Sequence, residues 1–362
     1  MRILYFGDGT SVHVRRWVSW FAARGHEVHL ITKACEPIPG VPLTAIPLHE
    51  GAYRTRWGFR SAVKEVVRAF RPDVAHAHYL QAWGWYAFRA DVRPLVVSAW
   101  GSDIAKDPDE HWYARRNARK IVRRADLIHV GDGPARDRVV SLGGDAARCF
   151  VQPWGIDIRQ FSPDHRSEEW RRTVCPPGRT LILANRHLHE MFRHGVLLRA
   201  AAELRKTADG FAVAIVGGGP AQSALEKLAT DSGLSGVVTF VGRVPPDDMP
   251  RYYASADVYV DCFPSQVGGH GASLSLVEAM SCGLPVVAAR RPGLEEIVGS
   301  AGRLFPPDDP AALVSILREF VADPALVERM GALAVERART VADRDTNLQK
   351  FEARMQELIA TR

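Results

Sequence analysis

The chain opens with a short apolar run, a glycine turn, an amphipathic stretch and a second apolar run, and that order leaves few folds open. Arg2-Ile-Leu-Tyr-Phe6 reads as a strand and Gly7-Asp-Gly-Thr-Ser11 as a tight turn. Residues 12–24 set Val14, Trp17, Val18 and Phe21 on one helical face, Gly25 stops the helix, and residues 27–32 form the next strand. Strands joined through a helix run parallel, and a parallel sheet needs helices over both faces. The alternation recurs, with a helix at 59–70, strands at 73–78 and 94–99, a helix at 112–124 and a strand at 126–130. Beyond a polar segment containing Pro163, Pro176 and Pro177 it begins again, with strands at 180–184, 211–216, 237–241, 257–260 and 285–288. The expected architecture is α/β, with two doubly wound domains. These are residues 1–165, a linker at 166–179, residues 180–343, and a final helix at 344–362 that crosses back to the first domain. Ligands of such sheets lie at the carboxyl ends of the strands, so a cleft between the domains is the expected place for chemistry.

Composition narrows the class without naming it. At 362 residues, 46% hydrophobic and 24% charged, the chain has the balance of a globular protein of about two domains, which excludes collagenous, disordered and membrane-spanning types. The first apolar run passes straight into the fold, so neither a signal peptide nor a spanning helix is expected. Cys35, Cys149, Cys175, Cys262 and Cys282 are scattered and never spaced C-x-x-C, which suggests neither a disulfide framework nor zinc, but a reducing cytoplasm. No metal site is expected.

Charge is unevenly divided. Residues 1–165 hold 24 basic and 17 acidic residues, whereas residues 166–362 hold 23 and 24. A basic front half suits phosphate groups or an anionic lipid surface, although an arginine-rich composition, with Lys only 7 of the 47 basic residues, accounts for it equally. Tyr53-Arg-Thr-Arg-Trp-Gly-Phe-Arg60 interleaves basic and aromatic residues, as membrane interfaces and sugar-stacking surfaces do, which makes Tyr53 and Arg56 candidate acceptor contacts. Arg115, Arg116, Arg119, Lys120, Arg123 and Arg124 lie on a helix beside Trp112 and Tyr113, and a solvated face explains them as well. His76, His78, Trp83, Trp85 and Tyr86 either line an acceptor pocket or pack at strand ends. Nucleic acid is not an expected partner, because charge is unaccompanied by any binding-module signature.

The glycine turns exclude the obvious rival, a dinucleotide oxidoreductase. Its fingerprint needs G-x-G-x-x-G and an acidic residue about 20 positions on. After Gly7 and Gly9 those places hold Val12 and Lys33, and after Gly217-Gly218-Gly219 they hold Gln222 and Thr239. No Lys-Ser/Thr follows either turn, so neither is a Walker loop. Each turn either receives a phosphate on its free amides or simply makes the corner.

Longer motifs carry a resemblance. Val216-Gly-Gly-Gly-Pro220, Val238-Thr-Phe-Val-Gly-Arg243, Tyr252-Tyr-Ala-Ser-Ala-Asp257 and the run from Gly271 to Val287 occur in this order. They resemble the donor domain of retaining glycosyltransferases of family 4, which have the GT-B fold of two Rossmann-like domains. Arg24-Gly-His-Glu-Val28, Pro72–His78, Gly101-Ser-Asp103 and Gly155-Ile-Asp157 resemble that family's front half. The resemblance implies transfer of a hexose or N-acetylhexosamine from a nucleotide diphosphate sugar, expected as a UDP-sugar. Transfer would retain configuration and use neither metal nor further cofactor. The acceptor would be a hydroxyl of a glycolipid, a polysaccharide precursor or a small molecule.

It implies residue roles as well. Arg186 matches the arginine on the diphosphate, and a guanidinium offers phosphate two parallel hydrogen bonds at any working pH. The amides of Gly271, Ala272, Ser273 and Leu274 would face phosphates and sugar at a helix start. Glu278 would accept from the ribose hydroxyls, Arg243 lies in the turn that reads the base, and Gly217 and Gly218 border the donor. Gly7 and Gly9 would let the acceptor domain approach the diphosphate. Three positions depart from the family. His270 stands where a sugar-binding glutamate is usual, Arg193 supplies the charge of a missing lysine, and Trp100 replaces a histidine, leaving Asp103 as the carboxylate nearest the acceptor pocket and His78 and Trp100 beside it. Two alternatives stay open: a sugar-nucleotide epimerase of similar fold, and a non-catalytic sugar-nucleotide-binding relative.

Overall fold

The computed structural model describes residues 1–33, 35–46, 55–264 and 274–361, with side chains described from residue 62 in the helix that begins at Thr55. The described residues divide into two units, one of Met1–Gln152 with residues 348–361, the other of residues 153–264 with 274–347.

In the first unit seven parallel strands stand in the order β3-β2-β1-β4-β5-β6-β7. They are β1 (Arg2–Phe6), β2 (Glu27–Thr32), β3 (Leu43–Ala45), β4 (Val74–His78), β5 (Leu95–Ser98), β6 (Leu127–Val130) and β7 (Cys149–Val151). Alternation along each strand sorts the two faces. Leu4, Phe6, Ala75, Ala77, Val97 and Ile128 form a core with Val63, Ala87, Ile121 and Val139 of the helices that follow β3 to β6. The other face carries Tyr5, His76, His78, Ser98 and His129, packed with Trp17 of the helix Val12–Ala23 and Phe351 of the last helix.

That second face is polar yet buried, and its hydrogen bonds fix two tautomers. His129 Nε2 lies 2.7 Å from the carbonyl of Gln152, which can only accept, so Nε2 holds the proton. Nδ1 of His129 therefore accepts from Ser98 Oγ at 3.1 Å, and Ser98 Oγ accepts from His76 Nε2 at 2.8 Å. Burial keeps all three imidazoles neutral, pressing His78 down to about 3, His129 to about 4 and His76 well below its ordinary range.

The second unit has six parallel strands in the order β10-β9-β8-β11-β12-β13. These are β8 (Thr180–Asn185), β9 (Phe211–Val216), β10 (Val238–Gly242), β11 (Val258–Asp261), β12 (Val286–Ala289) and β13 (Gly302–Phe305). Leu181, Leu183 and Tyr259 face the helices Met249–Ala254, Leu274–Ser281 and Pro324–Ala342, while Ile182, Val213 and Val260 face His194–Arg205 and Pro310–Ala322. In both sheets the order reverses beside the first strand, between β1 and β4 and between β8 and β11, where crossovers diverge and a crevice opens.

Residues 166–179, expected as a linker, belong to the second unit, and the division in sequence falls after Gln152. Ser167 caps the helix Glu168–Val174 through the amide of Trp170, and Arg171 of that helix reaches Asp257 at 2.6 Å and the carbonyls of Ser255 and Arg179. The last helix, Arg344–Ala360, begins in the second unit, where Arg344 pairs with Asp157 at 2.9 Å. From Leu348 it belongs to the first, where Glu352 accepts from Arg24 at 3.0 Å and lies 2.6 Å from His26 Nε2.

The buried histidines set a pH dependence. Their folded values lie below the ordinary 6.5, so the unfolded chain binds more protons, and their contribution is full above pH 6.5 and is lost as pH falls towards about 4. Asp103, raised by burial to about 6, pulls the opposite way, one group against three. Thermal midpoints should therefore fall on acidification through this window, and His76→Phe, which removes one protonatable ring at matched shape, should make the fall shallower. An unchanged slope in that variant would count against the buried row.

Candidate active site

The carboxyl ends of β8 and β11 in the second unit gather buried charge. Asp261, the last residue of β11, is 1% exposed. Burial alone would raise its pKa, but Arg291 and Arg186 outweigh that and hold it below its ordinary value. Arg291 Nη2 lies 2.9 Å from Asp261 Oδ2, and its Nη1 donates to the carbonyl of Phe263 at 3.1 Å. Arg186, one residue beyond β8, stands farther off, with Nε 4.0 Å from Asp261 Oδ1. Its guanidinium is held by rings, 4.8 Å from the centre of Phe192 and 5.3 Å from that of Phe263. One carboxylate thus answers two guanidiniums, and the cluster keeps a net positive charge at Arg186, which is only partly exposed.

Glycines make this placement possible. Gly217 has φ +144° and a Cβ there would overlap the carbonyl of Arg186, while one at Gly219 would overlap that of Leu188. The β9 turn is therefore pressed against the segment that carries Arg186, and Leu188 N donates to Gly218 O at 3.2 Å while Ala221 N donates to Leu188 O at 2.9 Å. A Cβ on Gly218 would come within 3.0 Å of the Arg243 side chain, so Arg186, Gly217, Gly218 and Arg243 form one neighbourhood. Arg193 differs in kind. Its backbone is left-handed and its half-exposed guanidinium pairs with Asp308 at 3.4 Å, an interaction worth little.

Glu278, in the helix Leu274–Ser281, accepts from the Tyr253 hydroxyl at 3.0 Å, which in turn accepts from Asn185 Nδ2 at 2.6 Å. The end of β8 thereby orients the carboxylate. Asn185 Oδ1, Arg186 Nε, Tyr259 Oη and His194 Nε2 are buried and make no hydrogen bond among the described residues. That is a concentration of unmet polar atoms unusual for an interior. His194 is pressed by burial to about 4 and is neutral. Leu274 is half-buried on the core. His270, Gly271, Ala272, Ser273 and Tyr53 lie outside the described residues, and Arg56 falls in the helix Thr55–Phe70 where side chains are not described.

In the first unit the candidates gather at the ends of β1, β4 and β5. A Cβ on Gly7 would meet Val14 at 3.0 Å and His78 at 3.6 Å. Gly9 donates to Thr32 Oγ1 at 2.6 Å and has no room for a Cβ beside Cys35, so local packing by itself requires both glycines to be small. Trp100 sits edge-on to His78 at 5.9 Å and to His13 at 5.4 Å. Asp103 is fully buried: Oδ1 accepts from the amides of Trp100 and Gly101, each at 2.9 Å, and Oδ2 from that of Leu80 at 2.7 Å. Its carboxylate ties the loop after β5 to the one after β4, which is a positioning geometry.

Asp261, Arg291, Phe192, Phe263 and Asn185 are absent from the residues that the sequence singles out, and Tyr253 enters there only as part of a motif, with no role of its own. The one available signal is an acid closing the apolar run Val258-Tyr-Val-Asp261, which a buried strand end tolerates only with a partner. Among the described residues no His, Cys, Asp or Glu cluster could hold a metal, and no helix is long and apolar enough to cross a membrane.

Two such parallel sheets, each reversing beside its first strand, are the GT-B architecture. A sucrose-phosphate synthase of Thermosynechococcus elongatus shares the fold with a TM-score of 0.82 at 20% identity over 100% of both chains. Anabaena HepE in complex with UDP does so at 0.80 and 20%, over 99% of this chain and 100% of that one. The sequence profile for Glycosyl transferases group 1 matches residues 166–337, and that for Glycosyl transferase 4-like matches residues 2–130. A D-inositol 3-phosphate glycosyltransferase of Thermomonospora curvata is 30% identical across 92% of this chain and 87% of its own length. A GDP-mannose-dependent alpha-(1-6)-phosphatidylinositol monomannoside mannosyltransferase of Mycolicibacterium smegmatis is 31% identical across 68% of this chain, which spans 66% of that relative's length, just under two thirds. The chain belongs to the glycosyltransferase group 1 family.

The ion cluster has a direct test. Arg291→Met strands Asp261 as a buried charge and should cost about 3–5 kcal/mol by denaturant unfolding. Asp261→Asn in the same chain should recover much of it. A single-variant loss under about 1 kcal/mol would show the pair to be dispensable.

Proposed function

We propose that the chain is a retaining, metal-independent glycosyltransferase that moves a hexose or N-acetylhexosamine from a nucleoside diphosphate sugar to a hydroxyl of a phosphorylated or lipid-linked acceptor, in the cytoplasm. The observation that carries this is Arg186, a guanidinium left in excess once Arg291 has answered Asp261. Cleaving the anomeric bond releases a diphosphate, and a fixed cation already oriented by Phe192 and Phe263 stabilises that charge without reorganising. Glu278, aimed by Tyr253, is the ribose partner. His270 and the amides of residues 271–273 are assigned to the sugar, Arg193 to a supporting charge and Arg243 to the base. No enzyme nucleophile is invoked, because the departing phosphate can take the proton of the incoming hydroxyl. In the first unit Asp103 positions the loop bearing Trp100, and His78 and Trp100 are assigned to the acceptor.

The donor base divides the support. The sequence resemblance favours UDP, while the mannosyltransferase relative is named for GDP-mannose. Both relatives' names place phosphate on an inositol acceptor, which accords with the basic front half and favours a phosphorylated acceptor.

A thermal-shift screen of UDP-sugars and GDP-sugars should single out one donor, since a ligand at about a hundred times its dissociation constant adds roughly 2.7 kcal/mol. With that donor, Arg186→Ala should slow transfer about a hundredfold, roughly 3 kcal/mol of transition-state stabilisation, and a chelator should change nothing. Near-normal turnover in the alanine variant would remove Arg186 from the chemistry. Isomerised sugar from donor alone would point to the epimerase.

A further inference from the structure

A cavity of about 490 Å³ lies in the second unit, at the opposite ends of its strands from Asp261 and Arg186. Thr180, which opens β8, and Asp257, which precedes β11, both line it, so the length of those strands, about 17 Å, separates it from the Asp261 cluster. At about 30 Å³ per water, its volume equals roughly sixteen waters, and a space of that size takes a small organic molecule. The walls are tied in place. On one side the carbonyl of Phe161 accepts from Ser281 Oγ at 2.5 Å and Ser167 N donates to Ser255 Oγ at 2.8 Å. On another the helix Pro324–Ala342 brings Gly331 so near the Gly283 carbonyl that a Cβ would overlap it. Neither wall can move in to fill the space without breaking those contacts. Between them the surface is mainly apolar, from Pro163, Ala254, Ala256 and Val327.

Charged residues also line it: Arg166, Arg171, Arg179, Asp257 and Glu328. Arg171 and Asp257 answer each other at 2.6 Å, and the same guanidinium donates to the carbonyls of Ser255 and Arg179, so this pair belongs to the frame. Arg166 leans on the exposed Glu168 at 2.7 Å, an ion pair worth little. Arg179 is half-buried, and among the described residues it has no acidic partner, although Glu328 stands on the same cavity. A partly dehydrated guanidinium beside an apolar space, met by no carboxylate of the chain, is placed for an anion from outside. The lining holds three arginines against Asp257 and Glu328, an excess of one positive charge. A monoanion balances that excess, whereas a phosphate dianion exceeds it and is repelled by Glu328.

We infer that this cavity binds a small organic monoanion, a carboxylate with an apolar body, and that Arg179 receives the carboxylate. The inference stands apart from the glycosyltransferase reading, because no lining residue belongs to the Asp261 cluster. The test titrates octanoate and 1-naphthylacetate into the full chain by calorimetry, with 1-naphthylacetamide as the uncharged control. One site per chain should take at least one of the two acids, and the amide should bind about tenfold more weakly than its acid. Arg179→Met should lose about the same factor and leave the thermal midpoint of the ligand-free chain unchanged, because that side chain has no acidic partner to lose. Arg179→Lys should recover part of the loss, and Glu328→Gln should tighten binding about threefold. Failure of both acids to bind, equal binding of acid and amide, or unchanged binding by Arg179→Met would each overturn the inference. So would tighter binding of inorganic phosphate, or displacement of the acid by UDP, which would put it elsewhere. Donor-induced thermal shifts in Arg179→Met report the Arg186 site separately, so failure here is distinguishable from failure of the proposed activity.

Discussion

Asp261 puts a carboxylate at the closed end of a strand that water does not reach, and much of the second unit's chemistry follows from how that charge is met. A lone buried carboxylate would take up a proton. Arg291 prevents this by close pairing, with its second nitrogen tied to the Phe263 carbonyl so that it cannot swing away. Arg186 feels the same carboxylate only at 4.0 Å, too far to be consumed by it, and takes its orientation from two aromatic rings. The glycine turn then fixes the backbone behind it, because Gly217 has no side chain to hold the Arg186 carbonyl away.

The first unit handles polarity the other way. At the corresponding strand ends it has imidazoles made neutral by burial and a carboxylate, Asp103, fully occupied by three amides. Six of its cations lie on the helix Trp112–Arg124, while Lys33, just beyond β2, pairs with Asp8, just beyond β1, at 2.7 Å. The two halves differ in the balance of their charges and not in their number, with 24 basic against 17 acidic residues up to residue 165 and 23 against 24 beyond it.

How much of this is legible in the sequence depends on whether a feature is local. β1 and β9 carry four or more consecutive apolar residues and end at glycine, and composition alone marks them. β3, β7 and β13 are not marked, being edge strands of three or four residues too short to show alternation. The segment 166–179 looks like a linker by its prolines, yet Ser167 N donates to Ser255 Oγ and Arg171 to Asp257, partners 88 and 86 residues away that dock it on the second unit. Arg186, Glu278 and the glycines are readable from motif resemblance. Asp261 and Arg291 are not, because only the parallel pairing of β11 with β12 brings residues thirty apart into contact. Asp103 shows the limit most plainly, since its residue type suggests chemistry and its three amide partners, invisible in sequence, assign it to scaffolding.

The last helix has a bearing on how the chain is made. The face of the first sheet that holds His76 and His129 is covered in part by Phe351, and Glu352 joins Arg24 across 328 residues of sequence. On the ribosome the first seven strands emerge long before that cover exists, so their polar face must wait, uncapped, while the whole second unit is synthesised. The first unit is therefore begun before the second and closed only after it, and its sheet waits through the synthesis of residues 153–347.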